Sequence, residues 1–561
     1  MTKRISRRYF LGTALAALSG PALAGAPAVS LRPVARPDGG ARRAVQRAPA
    51  PEALISEANL SGRVGYAVAD ARTGQLLEAG DATTGLPPAS VTKAVTALYA
   101  LDALGPDHRF GTRLIATGPI SGGVLNGDLI LAGGGDPTLD TDALAGLAAN
   151  LAKTGLRELR GRFLVWGGAV PFKRAIDEAQ PEHAGYNPAL SGLNLNYNRV
   201  HFEWKRAGGK YAVTMDARSN RYRPDVTMAR MRIADRSVPV YTYKDAGGYD
   251  DWTVALGALG NGGARWLPVR KPELYAGEVF ATFARSQGIK TGAPQITQNL
   301  PGGTALVTHA SAPLRDILRD MLKYSTNLTA EMVGLAASAK RRGAVVALDQ
   351  SARDMNGWAA QALGMSGAAL RDHSGLSDRS RLSAAAMAQA LARAHGAGLL
   401  RPLLRQVDLR DAQGRPNRNH PLKVAAKTGT LHFVSALAGY VTTPQGADLA
   451  FAIFTASDSL RARIDPSQDD SPPRRARLEC ALKAAATGAD RALGRGLRRL
   501  TGYFRAVGSR RLSAWSARPR CTPSRAPTFS SQRAKCGLSS SVCCCPSQSE
   551  HQPQSAISAM E

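Results

Sequence analysis

Three short clusters in this 561-residue chain place nucleophile, base and cation types at workable spacings. The first is Ser90-Val91-Thr92-Lys93. A serine hydroxyl is a poor nucleophile at neutral pH and needs a base beside it. A lysine can be that base once burial and neighbouring cations lower its pKa. The second cluster, Ser325-Thr326-Asn327, joins a hydroxyl that could relay a proton to an amide that could hold a lysine or a substrate carbonyl. The third is Lys427-Thr428-Gly429-Thr430, where Lys427 supplies a fixed cation and Gly429 would let a substrate backbone approach closely. Each cluster alone also fits a purely structural role: a capping serine with a solvated lysine, a capping serine with a turn asparagine, or an edge-strand lysine that blunts aggregation.

The surrounding sequence gives each cluster a defined seat. Residues 63–70 read as a strand, Ala71-Arg72-Thr73-Gly74 as a turn, and 75–79 as a returning strand. Pro87-Pro88-Ala89 stops the extended chain, and residues 91–104, rich in Ala, Leu and Val without Gly or Pro, read as a buried helix. Ser90 therefore starts a helix, with Lys93 one turn on and on the same face. The helix N-terminus adds partial positive charge and free N–H groups near any oxyanion formed there. Asn327 precedes a helical run over 329–340. Lys427 follows strand-like residues, and two more strands, 435–443 and 448–455, flank a Pro444-Gln445-Gly446 turn, which makes an antiparallel meander. Residues 127–135 read as a strand ending in a glycine turn. No Gly-Lys-Ser/Thr follows, so a phosphate loop is excluded.

With 44% hydrophobic and 20% charged residues, most of the chain can bury a core. The net charge of +29 alone would invite a nucleic-acid reading, but residues 474–561 hold 16 Lys and Arg against four Asp and Glu. The body carries no basic run beside aromatic residues, so no nucleic-acid partner is expected. All six cysteines also lie beyond position 479, which excludes a cysteine nucleophile, a thiolate zinc site and a disulfide framework from the body. At the other end, Lys3, Arg4, Arg7 and Arg8 precede a short apolar stretch and Ala22-Leu23-Ala24, a small-x-small cleavage pattern. Ser6-Arg7-Arg8-Tyr9-Phe10-Leu11 reads as a twin-arginine address, so residues 1–24 are expected to be a signal peptide and the mature protein to be exported to the periplasm, with no transmembrane span. Residues 25–51, rich in Pro, Ala and Arg, read as a linker.

Ser-x-x-Lys, Ser-x-Asn and Lys-Thr-Gly, in this order and context, resemble the penicillin-binding protein and serine β-lactamase superfamily. The 235 positions between Ser90 and Ser325 leave about 190 residues for an insertion of one or two small domains. Within that span Gly127-Asp128-Leu129-Ile130-Leu131-Ala132-Gly133-Gly134-Gly135-Asp136-Pro137-Thr138-Leu139 and Leu193-Asn194-Leu195-Asn196-Tyr197-Asn198 are similar to segments of the low-molecular-mass class C penicillin-binding proteins; so, further on, is Asp372-His373-Ser374-Gly375-Leu376-Ser377. The resemblance implies an α+β fold: a discontinuous β-lactamase/transpeptidase-like domain (52–115 and 306–473) with an antiparallel sheet flanked by helices, and a strand-rich insertion over 116–305. It implies a serine D-alanyl-D-alanine carboxypeptidase/endopeptidase acting on peptidoglycan stem peptides, with β-lactams as covalent inhibitors and no metal or cofactor. By resemblance Ser90 is the acylated nucleophile, Lys93 the general base and Ser325 the proton donor to the leaving D-alanine. Asn327 orients Lys93 and the peptide. Lys427 sits beside the substrate carboxylate, with Thr428 and Thr430 hydrogen-bonding nearby, and the backbone N–H groups of Ser90 and Thr430 form the oxyanion hole. A β-lactamase or esterase on the same fold, or a non-catalytic wall-binding module, is the alternative. His373 departs from the family pattern, which has a small residue there; a satisfied loop side chain is expected.

The family closes its catalytic domain with a Trp-containing amphipathic helix, and none is evident after residue 455. Residues 474–561 instead read as an out-of-frame translation, since a one-base shift over 476–494 permits such a helix. The alternative is that residues 474–500 form a basic amphipathic helix of their own, docked in the same place. Resequencing of the gene around codons 471–476 is expected to reveal a break in frame. An unbroken frame there, with an intact mass that includes the tail, would overturn this.

Overall fold

The computed structural model describes residues 51–463, apart from 59, 61 and 410–414. The expected signal peptide, most of the linker and the tail lie outside the described residues. A six-stranded sheet forms the frame of the site, in the order Arg405–Val407, Lys423–Leu431, Val434–Thr442, Asp448–Ala456, Arg63–Asp70, Leu76–Gly80. Every neighbouring pair is antiparallel. The Lys427 strand is next to last, but Arg405–Val407 pairs with it only over Val424–Ala426, so Lys427 lies just past that pairing, with a strand partner on one side alone among the described residues.

Alternation along these strands sorts the side chains by size. Ala67, Ala69, Ala436, Ala438, Ala450 and Ala452 face one side, with Tyr440 and Phe454. Val68, Leu437, Val441, Leu449 and Phe451 face the other. The alanine face carries the helices. Ala384–His395, with seven alanines in its twelve residues, lies on the central strands, and Thr92–Leu104, Leu314–Tyr324, Asn327–Arg342 and Leu348–Leu363 complete the layer. Small residues on both surfaces let helix and sheet approach closely. Where two central strands meet, Gly439 has no room for a side chain: a Cβ there would lie 2.1 Å from the Ala425 carbonyl oxygen.

The insertion is built on a five-stranded mixed sheet, in the order Pro294–Ile296, Phe163–Trp166, Leu129–Gly133, Gly111–Ala116, Thr304–Ala310. Its entering and leaving strands pair antiparallel, with Thr304 opposite Ala116 and Ala310 opposite Gly111. The boundaries expected at 115/116 and 305/306 therefore cut through two strands of one sheet. Hydrogen bonding along that pair moves the borders to about 110 and 311. Small three-stranded sheets extend the insertion, and helices Thr141–Ala152 and Pro272–Ser286 pack together within it. A single apolar cluster runs through Leu114, Phe163, Phe202, Trp252 and Phe280.

The glycine turn read at 133–135 packs chain against chain. A Cβ on Gly133 or Gly134 would lie 2.3 Å from the carbonyl oxygen of Gly192 or Gly111 respectively. Asp136 then caps its own turn by accepting from Thr138 N at 2.8 Å.

Candidate active site

The nucleophile turn is tighter than the sequence suggests. Residues Ala89–Val91 form a 3₁₀ turn that runs into the helix Thr92–Leu104, and Ala89 holds φ 45°. Ser90 is half-buried in that turn. Lys93, fully buried one turn on, donates to Ser90 Oγ at 2.9 Å, Asn327 Oδ1 at 2.7 Å and the Ser374 carbonyl at 2.8 Å. Three donors meet three acceptors. Burial depresses the Lys93 pKa to about 7, against the opposing pull of the Asp372 and Glu331 carboxylates. At neutral pH a large share of this lysine is the free amine, in hydrogen-bond contact with a serine hydroxyl. That is the arrangement a lysine base needs.

Ser325 terminates the helix Leu314–Tyr324 in the left-handed conformation, φ 62°, with its N–H bonded to the Met321 carbonyl at 2.8 Å. The following helix starts at Asn327. This corner presents Ser325 and Asn327 to the same space from two helices. The Asn327 amide is fixed at both ends: Oδ1 accepts from Lys93, and Nδ2 donates to the Tyr186 carbonyl of the insertion at 2.9 Å. Lys427, also buried, donates to Ser325 Oγ at 3.0 Å and to the Thr428 carbonyl at 2.7 Å. Burial holds its pKa well below the usual range, and the Lys93 charge adds to this.

Ser90, Lys93, Ser325, Asn327 and Lys427 thus form two hydrogen-bonded strings, one through Lys93 and one through Lys427, side by side at the Ser325–Asn327 corner. Thr428 and Thr430 are exposed on the strand beside it. Gly429 is needed for a different reason from the one expected. A Cβ there would lie 2.7 Å from the Pro88 carbonyl oxygen and 3.0 Å from Ser90 N, so the close approach is the protein's own nucleophile turn, and a substrate is not required to explain the glycine. That contact also brings the Ser90 backbone N–H beside the Gly429-Thr430 segment.

Several groups at the site carried little signal in the sequence. The Ser374 and Tyr186 carbonyls are backbone atoms, which residue types do not reveal. Asp372 accepts from the N–H groups of Gly375 at 2.6 Å and Ser377 at 2.7 Å and so shapes the 372–377 loop. Glu331 is a charged residue on the buried face of its helix, one turn after Asn327; that mismatch was a readable signal. His373 points away from the cluster. Its ring meets Ser351 Oγ at 2.7 Å and Met355 Sδ at 3.2 Å, over Gly334, where a Cβ would lie 2.2 Å from the imidazole. A cavity of about 810 Å³ opens between insertion and catalytic domain, lined by Phe172, Lys173, Asp177, Leu348, Arg371 and Ser377, among others.

Sheet, helices and cluster together define a serine hydrolase of the β-lactamase/transpeptidase-like class, carrying a large insertion. Within that class the chain belongs to the D-Ala-D-Ala carboxypeptidase 3 (S13) family, whose model matches residues 51–469. It is 29% identical over 441 residues to a D-alanyl-D-alanine carboxypeptidase of an Actinomadura species, covering 72% of this chain and 79% of that one. It is 25% identical over 420 residues to the D-alanyl-D-alanine carboxypeptidase DacB of Haemophilus influenzae, covering 70% and 85%. The crystal structure of penicillin binding protein 4 (dacB) from H. influenzae shares the fold with a TM-score of 0.62 at 21% identity, over 77% of this chain and 99% of that one.

The pH dependence follows from the Lys93 amine. Only the unprotonated form can take the Ser90 proton, so acylation should fall about tenfold per pH unit below about 7 and level off above it. Second-order acylation constants with a fluorescent penicillin from pH 5 to 9 measure this. A flat profile over that range would remove Lys93 from the role of base.

Proposed function

We propose that this serine peptidase cleaves the terminal or cross-linking D-alanyl bonds of peptidoglycan stem peptides through an acyl-enzyme on Ser90. The contact between the fully buried Lys93 Nζ and Ser90 Oγ, 2.9 Å, carries the reading. Lys93 takes the serine proton as Ser90 attacks the penultimate D-alanine carbonyl. The tetrahedral oxyanion lies against the backbone N–H groups of Ser90 and Thr430. Ser325, hydrogen-bonded to Lys427 Nζ, hands a proton to the departing D-alanine amine. Water then hydrolyses the ester, and each of these steps is ordinary acyl transfer that calls on no metal or cofactor.

The free carboxylate of the substrate meets Lys427, with Thr428 and Thr430 on the open side of the strand. The cavity between insertion and catalytic domain has the mixed acidic, basic and apolar lining that suits the rest of a stem peptide. A β-lactam presents a strained amide in place of the D-alanyl bond and acylates the same serine. Export to the periplasm fits this substrate and the twin-arginine leader.

Incubation with a β-lactam should leave a penicilloyl adduct on Ser90, and Ser90→Ala should abolish both the adduct and the release of D-alanine from muropeptides followed by mass spectrometry. Labelling that survives Ser90→Ala, or rapid turnover of the drug with muropeptides left intact, would sink the reading. Replacing Lys427 by Ala should slow substrates with a free terminal carboxylate more than neutral esters. A charge-assisted contact is worth about 1.5–3 kcal/mol, hence a differential loss on the order of 10- to 100-fold. Equal losses for both substrate types would take Lys427 away from the carboxylate.

A further inference from the structure

A buried carboxylate beside the site has no part in the steps above. Glu331 lies one turn after Asn327 on the same helix and is fully buried. Its Oε1 accepts from the Ser374 N–H at 2.9 Å, and its Oε2 accepts from the His373 N–H at 3.0 Å. The Ser374 carbonyl, the other backbone polar group of that residue, is the third acceptor of Lys93. One carboxylate therefore grips two successive amides and fixes the carbonyl that follows them.

The rest of the loop has no slack. Thr96 Oγ1 donates to the His373 carbonyl at 2.6 Å, and Asp372 closes the turn at Gly375 and Ser377. Gly375, at φ 74°, abuts the nucleophile turn so closely that a Cβ would lie 1.8 Å from the Ala89 carbonyl oxygen. A glutamine at 331 could accept from only one of the two amides while its NH₂ faced the other. A charge kept in such a place is costly unless it answers another charge. Lys93 is that charge.

We propose that Glu331 is a positioning residue for Lys93: it holds the Ser374 carbonyl against the lysine, and its negative charge stabilises the ammonium formed when Lys93 takes the Ser90 proton. This rests on Lys93 being the base. The other titratable groups around this pair are Asp372 and His373 on the loop, Lys427 on the strand and Asp177 of the insertion, which acts on Asp372. Burial keeps His373 neutral, at about 3. Burial, with the Asp372 charge, pushes the Glu331 carboxyl up to about 8, while the two loop amides and Lys93 pull it down; two oxygens that both accept from N–H groups are the pattern of the carboxylate. A negative neighbour favours the protonated lysine, so Glu331 raises the Lys93 pKa and its loss must lower it.

The test compares acylation by a fluorescent penicillin from pH 5 to 9 for the full chain, Glu331→Gln and Glu331→Asp, with a thermal melt of each. In Glu331→Gln the plateau rate should fall about 10- to 100-fold and the acid limb should lie about one pH unit lower than in the parent. In Glu331→Asp, which keeps the charge on a shorter arm, the rate should fall while the limb stays at the parent pH. A merely structural role would lower the melting temperature and leave both limbs in place, and that result overturns the proposal. Should Glu331→Gln fail to fold, Glu331→Asp decides: a plateau rate that falls while the melting temperature and the limb hold supports the proposal, and a displaced limb, or a lowered melting temperature with the rate kept, overturns it. A parent that is not labelled at Ser90 removes the base assignment and this inference together. A labelled parent with an unmoved limb in Glu331→Gln removes this inference alone.

Discussion

An ammonium without water is the constraint around which this molecule is arranged. Moving Lys93 out of solvent costs several kcal/mol even after relaxation. Three hydrogen bonds from a charged donor, each worth about 1.5–3 kcal/mol, can offset that only if all three acceptors are in place. They come from three distant parts of the chain: its own helical turn, the start of a second helix, and a loop between two later elements. The balance is deliberately incomplete, because a fully compensated lysine would stay protonated and could not act as a base. The Lys93 charge in turn helps depress the pKa of Lys427, buried nearby.

The insertion takes part in this arrangement through its backbone. The Tyr186 carbonyl receives the Asn327 side-chain N–H, so the amide oxygen is left facing Lys93. The segment that carries Tyr186 is itself held by the guanidinium of Arg270, which donates to the carbonyls of Arg174, Glu182 and Asn187, each at 2.8 Å. Asn187 in turn grips Asp177 through its N–H and carbonyl, at 2.9 and 2.8 Å. A side chain of the catalytic domain is thus oriented by a loop whose own shape is set inside the insertion.

Much of this was legible in the residues. Hydrophobic alternation placed the strand at 63–70 on its observed bounds, and the Ala- and Leu-rich run after Pro88 gave the nucleophile helix to within a residue, because burial pattern and helix breakers are properties of residue types. The three polar clusters lie together in the structure, which the resemblance implied and their spacing alone did not. What stayed hidden depends on the backbone. Neither the Ser374 nor the Tyr186 carbonyl has a side-chain signature. The reason for Gly429 lies in a turn some 340 positions earlier in the chain. The insertion borders were misplaced because Gly111–Ala116 and Thr304–Ala310 read as strands whichever sheet they join, and only pairing decides that. His373 was expected to be a satisfied loop side chain, and its ring fills the space left by Gly334, a complementarity visible only in three dimensions.

The pairing of the insertion's entering and leaving strands also bears on how the chain can fold. In the catalytic sheet Tyr66 pairs with Ile453, so the strand made first cannot find its central partner until nearly the whole body has been synthesised. Contacts of such separation are slow to form, since the entropy of closing the loop is lost before they are gained. The insertion, in contrast, is one continuous stretch with its own apolar core, and it can fold while the last strands are still being made. Once Ala116 meets Thr304, about two hundred residues of loose chain become a compact body with adjacent ends. The segment that most lengthens the sequence between Ser90 and Ser325 thereby shortens the path the two serines must travel to meet.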